Sequence, residues 1–326
     1  MRFHHSLTSL QELKEKGVAI WQSWKDLTLG LEHVHETVHI AMVGKYMEQP
    51  DSYLSVKRAM EHAAMRCRRK LIFRDVDAES LEPATNQADP ARFHKAWHDV
   101  CTAQGILVPG GFGTRGTEGM IAAAHWARTH KVPYLGICLG MQTAVIEFAR
   151  NVCNIPLPQA LSYEFDAKDD DRVIVSMPEH HPGQLGGTMR LGLRPTLWQP
   201  ETKWSKLRAL YGLHNESITE RHRHRYEVNP DYVQRLHDKG LTFIGKDDTG
   251  VRMEIIELQD HPWFVGVQFH PEYVSRVLHP SKPYLGFFAA SAGMLKEVTA
   301  ASANDVYHGV GGPKVNGLMN GERSAF

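Results

Sequence analysis

The stretch from residue 38 to residue 150 constrains the fold most, because buried strands and helical faces alternate along it. Apolar runs predict strands at residues 38–43, 71–76, 105–108 and 133–138, and helical spacing predicts helices near residues 51–67, 91–100, 120–127 and 141–148. Strands that alternate with helices predict a parallel sheet covered on both faces. We therefore expect an α/β fold, with an open, mostly parallel twisted sheet flanked by helices and a small antiparallel addition.

Three regions are predicted along the chain. Residues 1–36 are polar, with two tryptophans, and are interpreted as a linker or a short helix outside the main core. Residues 37–297 are expected to form one domain, in which residues 160–250 supply short antiparallel strands and long loops. Residues 298–326 are small and polar with several glycines, so a disordered tail is predicted there.

Composition excludes several classes of protein. The 37 basic and 37 acidic residues balance, which argues against a general binder of nucleic acid or membrane surfaces. The sequence contains neither an apolar stretch of about 18 residues nor an apolar signal core at its start. The four cysteines have spacings typical of neither a zinc site nor a disulfide framework, so we expect no metal and a reducing, cytoplasmic location.

Cys138 is the candidate nucleophile. It lies in Gly136-Ile137-Cys138-Leu139-Gly140, between a predicted strand and a predicted helix. This pattern is the thiol version of the nucleophile elbow, a sharp turn that exposes the sulfur above the sheet and near a helix N-terminus. A buried structural cysteine is the alternative, and Cys67 fits it because Cys67 completes an apolar helical face. The combination of elbow, glycines and following helix favours a nucleophile at Cys138.

His270 and Glu272 are the candidate base and its orienting carboxylate. They follow the buried strand predicted at residues 263–269, so the ring can reach the same sheet edge as Cys138. A thiol needs a neighbour that accepts its proton, and a carboxylate can fix the tautomer of that imidazole. Among 20 histidines, a lone His-x-Glu would more often be a surface feature. The position of this pair at a strand end favours a catalytic role.

The segment Pro109-Gly110-Gly111-Phe112-Gly113 ends another predicted strand. A glycine-rich strand end can present a backbone N–H to the oxyanion that forms during attack on an amide, and the residue after the nucleophile can supply the second donor. These roles are assigned to Gly111 and Leu139. An ordinary tight turn is the alternative, and a phosphate-binding loop is excluded because no Gly-Lys-Ser/Thr follows.

The motifs PGGFG at 109–113, GICLGMQ at 136–142 and QFHPE at 268–272 together resemble the class I glutamine amidotransferases. Four longer segments are similar to the glutaminase half of the CTP synthase family: residues 42–60, 107–120, 185–192 and 221–229. The resemblance covers roughly residues 38–295. It implies a flavodoxin-like domain with a Cys138-His270-Glu272 triad that hydrolyses L-glutamine to glutamate and ammonia through a γ-glutamyl thioester.

The resemblance also implies a glutamine pocket. Its members would be Gly111, Phe112, Leu139, Gln142, Glu164, Arg225 and Tyr226. Glu164 matches the acidic residue near the α-amino group of glutamine, and Arg225 matches the residue near its α-carboxylate. Opposite charges suit a zwitterionic amino acid. Without the resemblance, both would be interpreted as solvated surface charges.

Cofactors and partners follow from the same resemblance. GTP is expected as an allosteric activator, with Arg115 and Arg190 as candidate nucleotide-responsive residues. ATP and Mg²⁺ are expected in a synthetase domain, since this sequence contains no Gly-x-x-x-x-Gly-Lys-Ser/Thr. That domain would use the ammonia to aminate UTP, and the full-length enzyme is expected to be a homotetramer. We interpret the chain as a fragment or a truncated gene product.

Two other functions stay open. A free-standing peptidase or γ-glutamyl hydrolase could use the same elbow, although Glu164 and Arg225 favour free glutamine. A non-catalytic regulatory or assembly module is the other, and the presence of all three triad residue types argues against it.

Overall fold

A nine-stranded mixed sheet forms the centre of the computed structural model, which describes residues 10–31, 34–49, 51–162, 164–165, 171–177 and 189–304. The strands are β1 Thr37–Gly44, β2 Lys70–Asp77, β3 Gly105–Val108, β4 Tyr134–Ile137, β5 Ile174–Ser176, β6 Arg190–Trp198, β7 Ser217–His224, β8 Tyr226–Val228, β9 Leu241–Asp247, β10 Met253–Leu258 and β11 Phe264–Val267. The helices are α1 Leu10–Leu31, α2 Leu54–Cys67, α3 Pro83–Ala88, α4 Pro90–Cys101, α5 Thr117–His130, α6 Leu139–Asn151, α7 Lys206–Tyr211, α8 Pro230–Asp238, α9 Lys282–Ser291 and α10 Leu295–Asn304.

The sheet has a parallel part and an antiparallel part. The strand order is β2-β1-β3-β4-β11-β10-β9-β6-β7, in which the first five strands are parallel and each later strand pairs antiparallel with its neighbour. A separate two-stranded antiparallel sheet joins β5 to β8. The carboxyl ends of the central parallel strands β3, β4 and β11 therefore lie side by side, and these ends carry the candidate site.

Apolar side chains fill both faces of the sheet. One core cluster contains buried residues of α5 and α6, and the other contains those of α2 and α9. The central strands β3 and β4 are buried along their whole length, as expected for parallel strands between two helical layers. These two layers fix the strand ends relative to each other.

The predicted strands and helices of residues 38–150 agree with the structure to within a few residues. The polar region predicted as a linker or short helix contains α1, which has 22 residues. The predicted disordered tail is wrong in its first part, because residues 298–304 continue α10. Alanines favour this helix, and Val298 packs against the core. Residues 1–9 and 305–326 lie outside the described residues.

None of the described helices is both long enough and apolar enough to cross a bilayer.

Candidate active site

Cys138 lies at a sharp turn between β4 and α6. Its backbone has φ 54° and ψ −103°, a region that non-glycine residues seldom adopt. A Cβ on Gly136 would stand 2.5 Å from the Gly140 carbonyl oxygen, and a Cβ on Gly140 would overlap the carbonyl oxygen of Val108. The two glycines are thus required by the close approach of strand and helix. The predicted elbow has the expected geometry.

His270 follows β11, pairs with Glu272 and lines the same cleft as Cys138. Its Nδ1 lies 2.7 Å from Glu272 Oε1. The hydroxyl of buried Tyr284 donates to Glu272 Oε2 over 3.5 Å. Burial lowers the pKa of His270, but the hydrogen bonds and negative charges of Cys138 and Glu272 raise it well above its ordinary value. The arrangement favours the imidazolium form of His270.

The glycine segment 110–113 lies against this pair. A Cβ placed on Gly110 would stand 3.0 Å from His270 Cε1 and 3.4 Å from Cys138 Cβ. A Cβ on Gly111 would stand 3.5 Å from Leu139 Cδ2. Gly110, Gly111 and Phe112 line a cleft of about 240 Å³ together with Cys138 and His270. Cys138 exposes only 4% of its surface, and it lines this cleft.

The residues expected to bind glutamine lie around the same strand ends. Glu164 Oε1 accepts a hydrogen bond from the Gly113 N–H at 2.7 Å, and the charge of Arg225 acts on this carboxylate. Burial raises the pKa of Glu164, although the Gly113 N–H and the charges of Lys45 and Arg225 counteract the effect. An acidic group and a basic group thus stand near one end of the glycine segment.

Gln142 has a structural role in addition to any role toward a ligand. Its Nε2 donates to the carbonyl oxygen of Tyr226 at 3.0 Å and to Gln268 Oε1 at 3.2 Å. The side chain is almost fully buried. It therefore ties α6 to β8, which brings Tyr226 and the adjacent Arg225 close to the elbow.

The two arginines suggested for nucleotide response are both ion-paired. Arg115 contacts Asp77 at 3.2 Å and Glu79 at 3.3 Å. Arg190 is only 7% exposed and lies 3.2 Å from Glu254 and 3.8 Å from Asp247. Residues 178–188, which precede β6, lie outside the described residues.

His222 and His224 of β7 form a buried polar cluster with Glu254 of β10. Their potential ligand atoms all lie within 4.8 Å of one another. However, His222 Nδ1 and His224 Nε2 are at hydrogen-bonding distance, 3.2 Å, and Arg190 lies 3.2 Å from Glu254. Burial raises the pKa of Glu254 to about 8, which disfavours the carboxylate that a metal would need. Burial lowers the pKa of His222 to about 2 and that of His224 to about 3, so both rings are neutral. We interpret the cluster as a support for β7 and assign it no metal.

Three residues near the site escaped the sequence analysis. The Cys138 sulfur lies 3.9 Å from the carbonyl oxygen of Arg223, whose guanidinium stands over the Phe112 ring, 5.8 Å from its centroid. Lys45 and Tyr46 follow the apolar run of β1 and contact the glycine segment. The position of Lys45 at a parallel strand end was a signal that could have identified it.

Comparison with known proteins places this geometry in a family. The family model described as "Glutamine amidotransferase class-I" matches residues 49–290. The chain belongs to the class-I glutamine amidotransferase family. A CTP synthase of Neurospora crassa is 58% identical over 307 residues, which are 94% of this chain and 51% of that protein. A CTP synthase of Schizosaccharomyces pombe is 60% identical over 287 residues, 88% of this chain and 47% of that protein.

A solved structure supports the same assignment. The glutaminase domain of Trypanosoma brucei CTPS with bound acivicin matches with a TM-score of 0.70 and 36% identity, over 79% of this chain and 94% of that one. The amidotransferase fold predicted from sequence is confirmed, and the chain is a glutamine amidotransferase domain of the CTP synthase type. It spans about half the length of the curated relatives that it matches.

Proposed function

We propose that Cys138, His270 and Glu272 hydrolyse L-glutamine to L-glutamate and ammonia. The observation that carries the proposal is that one cleft holds Cys138, at a strained elbow, the His270 ring, paired with Glu272 over 2.7 Å, and a glycine-rich strand end. A nucleophile, its base and an orienting carboxylate are the groups that acyl transfer from an amide requires.

The first half of the reaction forms a thioester. The Cys138 thiolate attacks the side-chain carbonyl carbon of glutamine, and the negative charge that develops on oxygen is stabilised by the N–H groups of Gly111 and Leu139. The His270 imidazolium donates its proton to the departing nitrogen as the C–N bond breaks, which releases ammonia. Neutral His270 then removes a proton from water, and hydroxide attack on the γ-glutamyl thioester releases glutamate and restores the thiolate.

Recognition of the amino-acid end of glutamine is proposed for Glu164 and Arg225. Glu164 would attract the α-ammonium group, and Arg225, which is exposed, would pair with the α-carboxylate. Gly111, Phe112, Leu139, Gln142 and Tyr226 would line the rest of the pocket. Acivicin, a glutamine analogue, is bound to the Trypanosoma brucei domain, which supports an amino-acid ligand for this domain.

In the full-length enzyme, we propose that the ammonia is used to convert UTP to CTP in a synthetase domain that binds ATP and Mg²⁺. Activation by GTP and assembly as a homotetramer belong to the same proposal. The high identity to CTP synthases supports these points. The ion pairs of Arg115 and Arg190 mean that either side chain would have to exchange an acidic partner for a nucleotide phosphate.

Glutamate release by the purified chain tests the glutaminase activity. Cys138→Ala should abolish it and remove a glutamyl adduct that mass spectrometry detects on the Cys138 peptide after quenching. Cys101→Ala is the matched control because Cys101 is an exposed free thiol outside the cleft. Unchanged glutamate release by Cys138→Ala would refute the mechanism, and faster cleavage of a γ-glutamyl peptide than of glutamine would favour a γ-glutamyl hydrolase.

A further inference from the structure

Three side chains hydrogen-bond the backbone of the glycine segment: Lys45 and Tyr46, which follow β1, and Tyr53, just before α2. We call them the β1 clamp. Tyr46 and Tyr53 also line the cleft that contains Cys138. Lys45 Nζ donates to the carbonyl oxygens of Phe112, at 3.4 Å, and of Gly113. The Tyr46 hydroxyl accepts from the Phe112 N–H and donates to the Phe112 carbonyl oxygen, both at 3.3 Å. The Tyr53 hydroxyl accepts from the Lys45 N–H at 3.1 Å and lies 3.5 Å from the Gly110 carbonyl oxygen.

The clamp fixes the direction of the backbone at Gly111. The Gly110 carbonyl and the Gly111 N–H belong to one planar trans peptide unit, so they point in opposite directions. A carbonyl that faces Tyr53 therefore turns the Gly111 N–H away from the clamp. The stem of Lys45 also packs here, since a Cβ on Gly111 would stand 3.3 Å from Lys45 Cδ. None of the clamp's bonds uses the Gly111 N–H itself.

The same contacts position the opposite end of the segment. The Phe112 carbonyl and the Gly113 N–H also share a peptide unit, and while Lys45 and Tyr46 bond the carbonyl, Glu164 accepts from the N–H at 2.7 Å. Two successive polar functions, an oxyanion donor and the carboxylate proposed to bind the α-ammonium group, thus depend on peptide planes that the clamp orients.

Burial of the Lys45 ammonium group at this position costs free energy. The Lys45 side chain is only 1% exposed, and burial lowers its pKa to about 8, although the Glu164 charge partly counteracts the effect. A methionine would fill nearly the same volume without the cost of burying an ammonium group. The two carbonyl oxygens, Glu164 and the Phe165 ring, whose centroid is 5.9 Å from Nζ, compensate for the lost water. The ammonium group, and not only the stem, is therefore what this position uses.

We propose that Lys45 is a positioning residue for glutamine hydrolysis: it locks residues 110–113 in the conformation that aims the Gly111 N–H at the oxyanion. It does so without touching the substrate. The inference rests on the proposed function and extends it to a residue that lies outside the triad and the glutamine pocket.

The experiment compares two reactions of the same thiol. Hydrolysis of glutamine passes through an oxyanion, whereas alkylation of Cys138 by iodoacetamide is a displacement at carbon that needs none. Lys45→Met should lower kcat for glutamine roughly 100-fold, as expected when an oxyanion donor is lost or displaced by about 1 Å, with KM changed less than about threefold. The rate of alkylation at Cys138 should stay within about twofold of that of the wild-type chain.

Controls separate the possible outcomes. Lys239→Met removes an exposed lysine at the end of α8 and should change neither rate. Tyr46→Phe deletes one clamp hydroxyl from a partly exposed ring and should lower kcat severalfold in the same direction. If Lys45→Met does not fold, the result for Tyr46→Phe decides. An equal loss of both reactions would show that Lys45 acts on the thiol or on folding, and a rise in KM alone would show that it acts through the charge of Glu164. Either result overturns the proposal.

The proposed function fails separately from this inference. If the wild-type chain releases no glutamate, or if Cys138→Ala still releases it, the proposed function is wrong. If the wild-type chain is active and Cys138→Ala is inactive, but Lys45→Met keeps the kcat of the wild type, only the positioning role is wrong.

Discussion

Replacement of Glu272 by glutamine isolates the contribution of its charge to the triad. Glu272 Oε1 lies 2.7 Å from His270 Nδ1, and Oε2 faces the hydroxyl of Tyr284 at 3.5 Å. A glutamine amide fits the same space, with its oxygen toward His270 and its nitrogen toward Tyr284, whose hydroxyl can rotate to accept. The substitution therefore keeps the shape of the site and removes one negative charge.

The expected loss of kcat follows from the hydrogen bond between Glu272 and His270, which the substitution weakens. A hydrogen bond to a charged group contributes about 1.5–3 kcal/mol. Since about 1.4 kcal/mol corresponds to a factor of ten in rate, Glu272→Gln should lower kcat roughly 10- to 150-fold. The pKa of His270 should fall, because Glu272 is one of the groups that raise it. Less imidazolium then remains to stabilise the thiolate of Cys138.

Two assays check this reasoning. Steady-state glutamate release gives kcat, and the pH dependence of iodoacetamide alkylation follows the thiolate–imidazolium pair directly. Glu216→Gln, at an exposed position before β7, is the control for loss of a carboxylate and should match the wild type. If Glu272→Gln keeps kcat within about threefold and leaves the alkylation profile unshifted, then Glu272 is not part of the catalytic unit.

Three further predictions concern the pocket, the turn and the stability of the fold. Glu164→Gln should raise KM for glutamine roughly 10-fold or more with little change in kcat, because it removes the charge proposed to attract the α-ammonium group. Steady-state kinetics measures both constants. An unchanged KM would exclude this role for Glu164. Gly140→Ala should destabilise the fold by more than about 3 kcal/mol in urea unfolding, since its Cβ would overlap the Val108 carbonyl oxygen. The control is Gly17→Ala, in an open helical position of α1, which should be neutral or slightly stabilising. His270, whose pKa is raised in the folded state, contributes stability that is fully present below its unfolded pKa of about 6.5 and is lost as pH rises through the folded pKa. The excess stability of the wild type over His270→Gln should therefore fall as pH rises above about 6.5, and a constant difference would contradict the shift.

The sequence was most informative where chemistry depends on local structure. The elbow at Cys138, the glycine segment and the His270–Glu272 pair each follow an apolar strand, and parallel strand ends must meet at one edge of the sheet. Lys45 could not be assigned a contact, because it meets the glycine segment only through a pairing of β1 with β3 that is distant in sequence. The distance of the Arg223 carbonyl from Cys138 depends likewise on how β7 meets the segment after β11, where the His270 N–H donates to the Arg221 carbonyl oxygen at 2.8 Å.

The undetected helices have physical explanations. Helix α9, with the sequence KPYLGFFAAS, is buried on nearly all sides, so its apolar residues show no helical periodicity. Helix α7 has only six residues, too few for a pattern. The antiparallel half of the sheet was expected as short strands, but its order, β10-β9-β6-β7, depends on long-range pairing that turn residues do not specify.

The strain at Cys138 shows how the sulfur can be placed before any substrate arrives. A non-glycine residue in this backbone region costs about 1–3 kcal/mol. Two backbone bonds resist relaxation of the turn: the Cys138 N–H donates to Val267 of β11 at 2.8 Å, and its carbonyl accepts from Gln142 of α6 at 3.1 Å. A swing of the turn would break both bonds and push Gly140 into β3. The parallel sheet and its helices therefore hold the thiol in place, and the His270 ring meets a nucleophile whose position is already set.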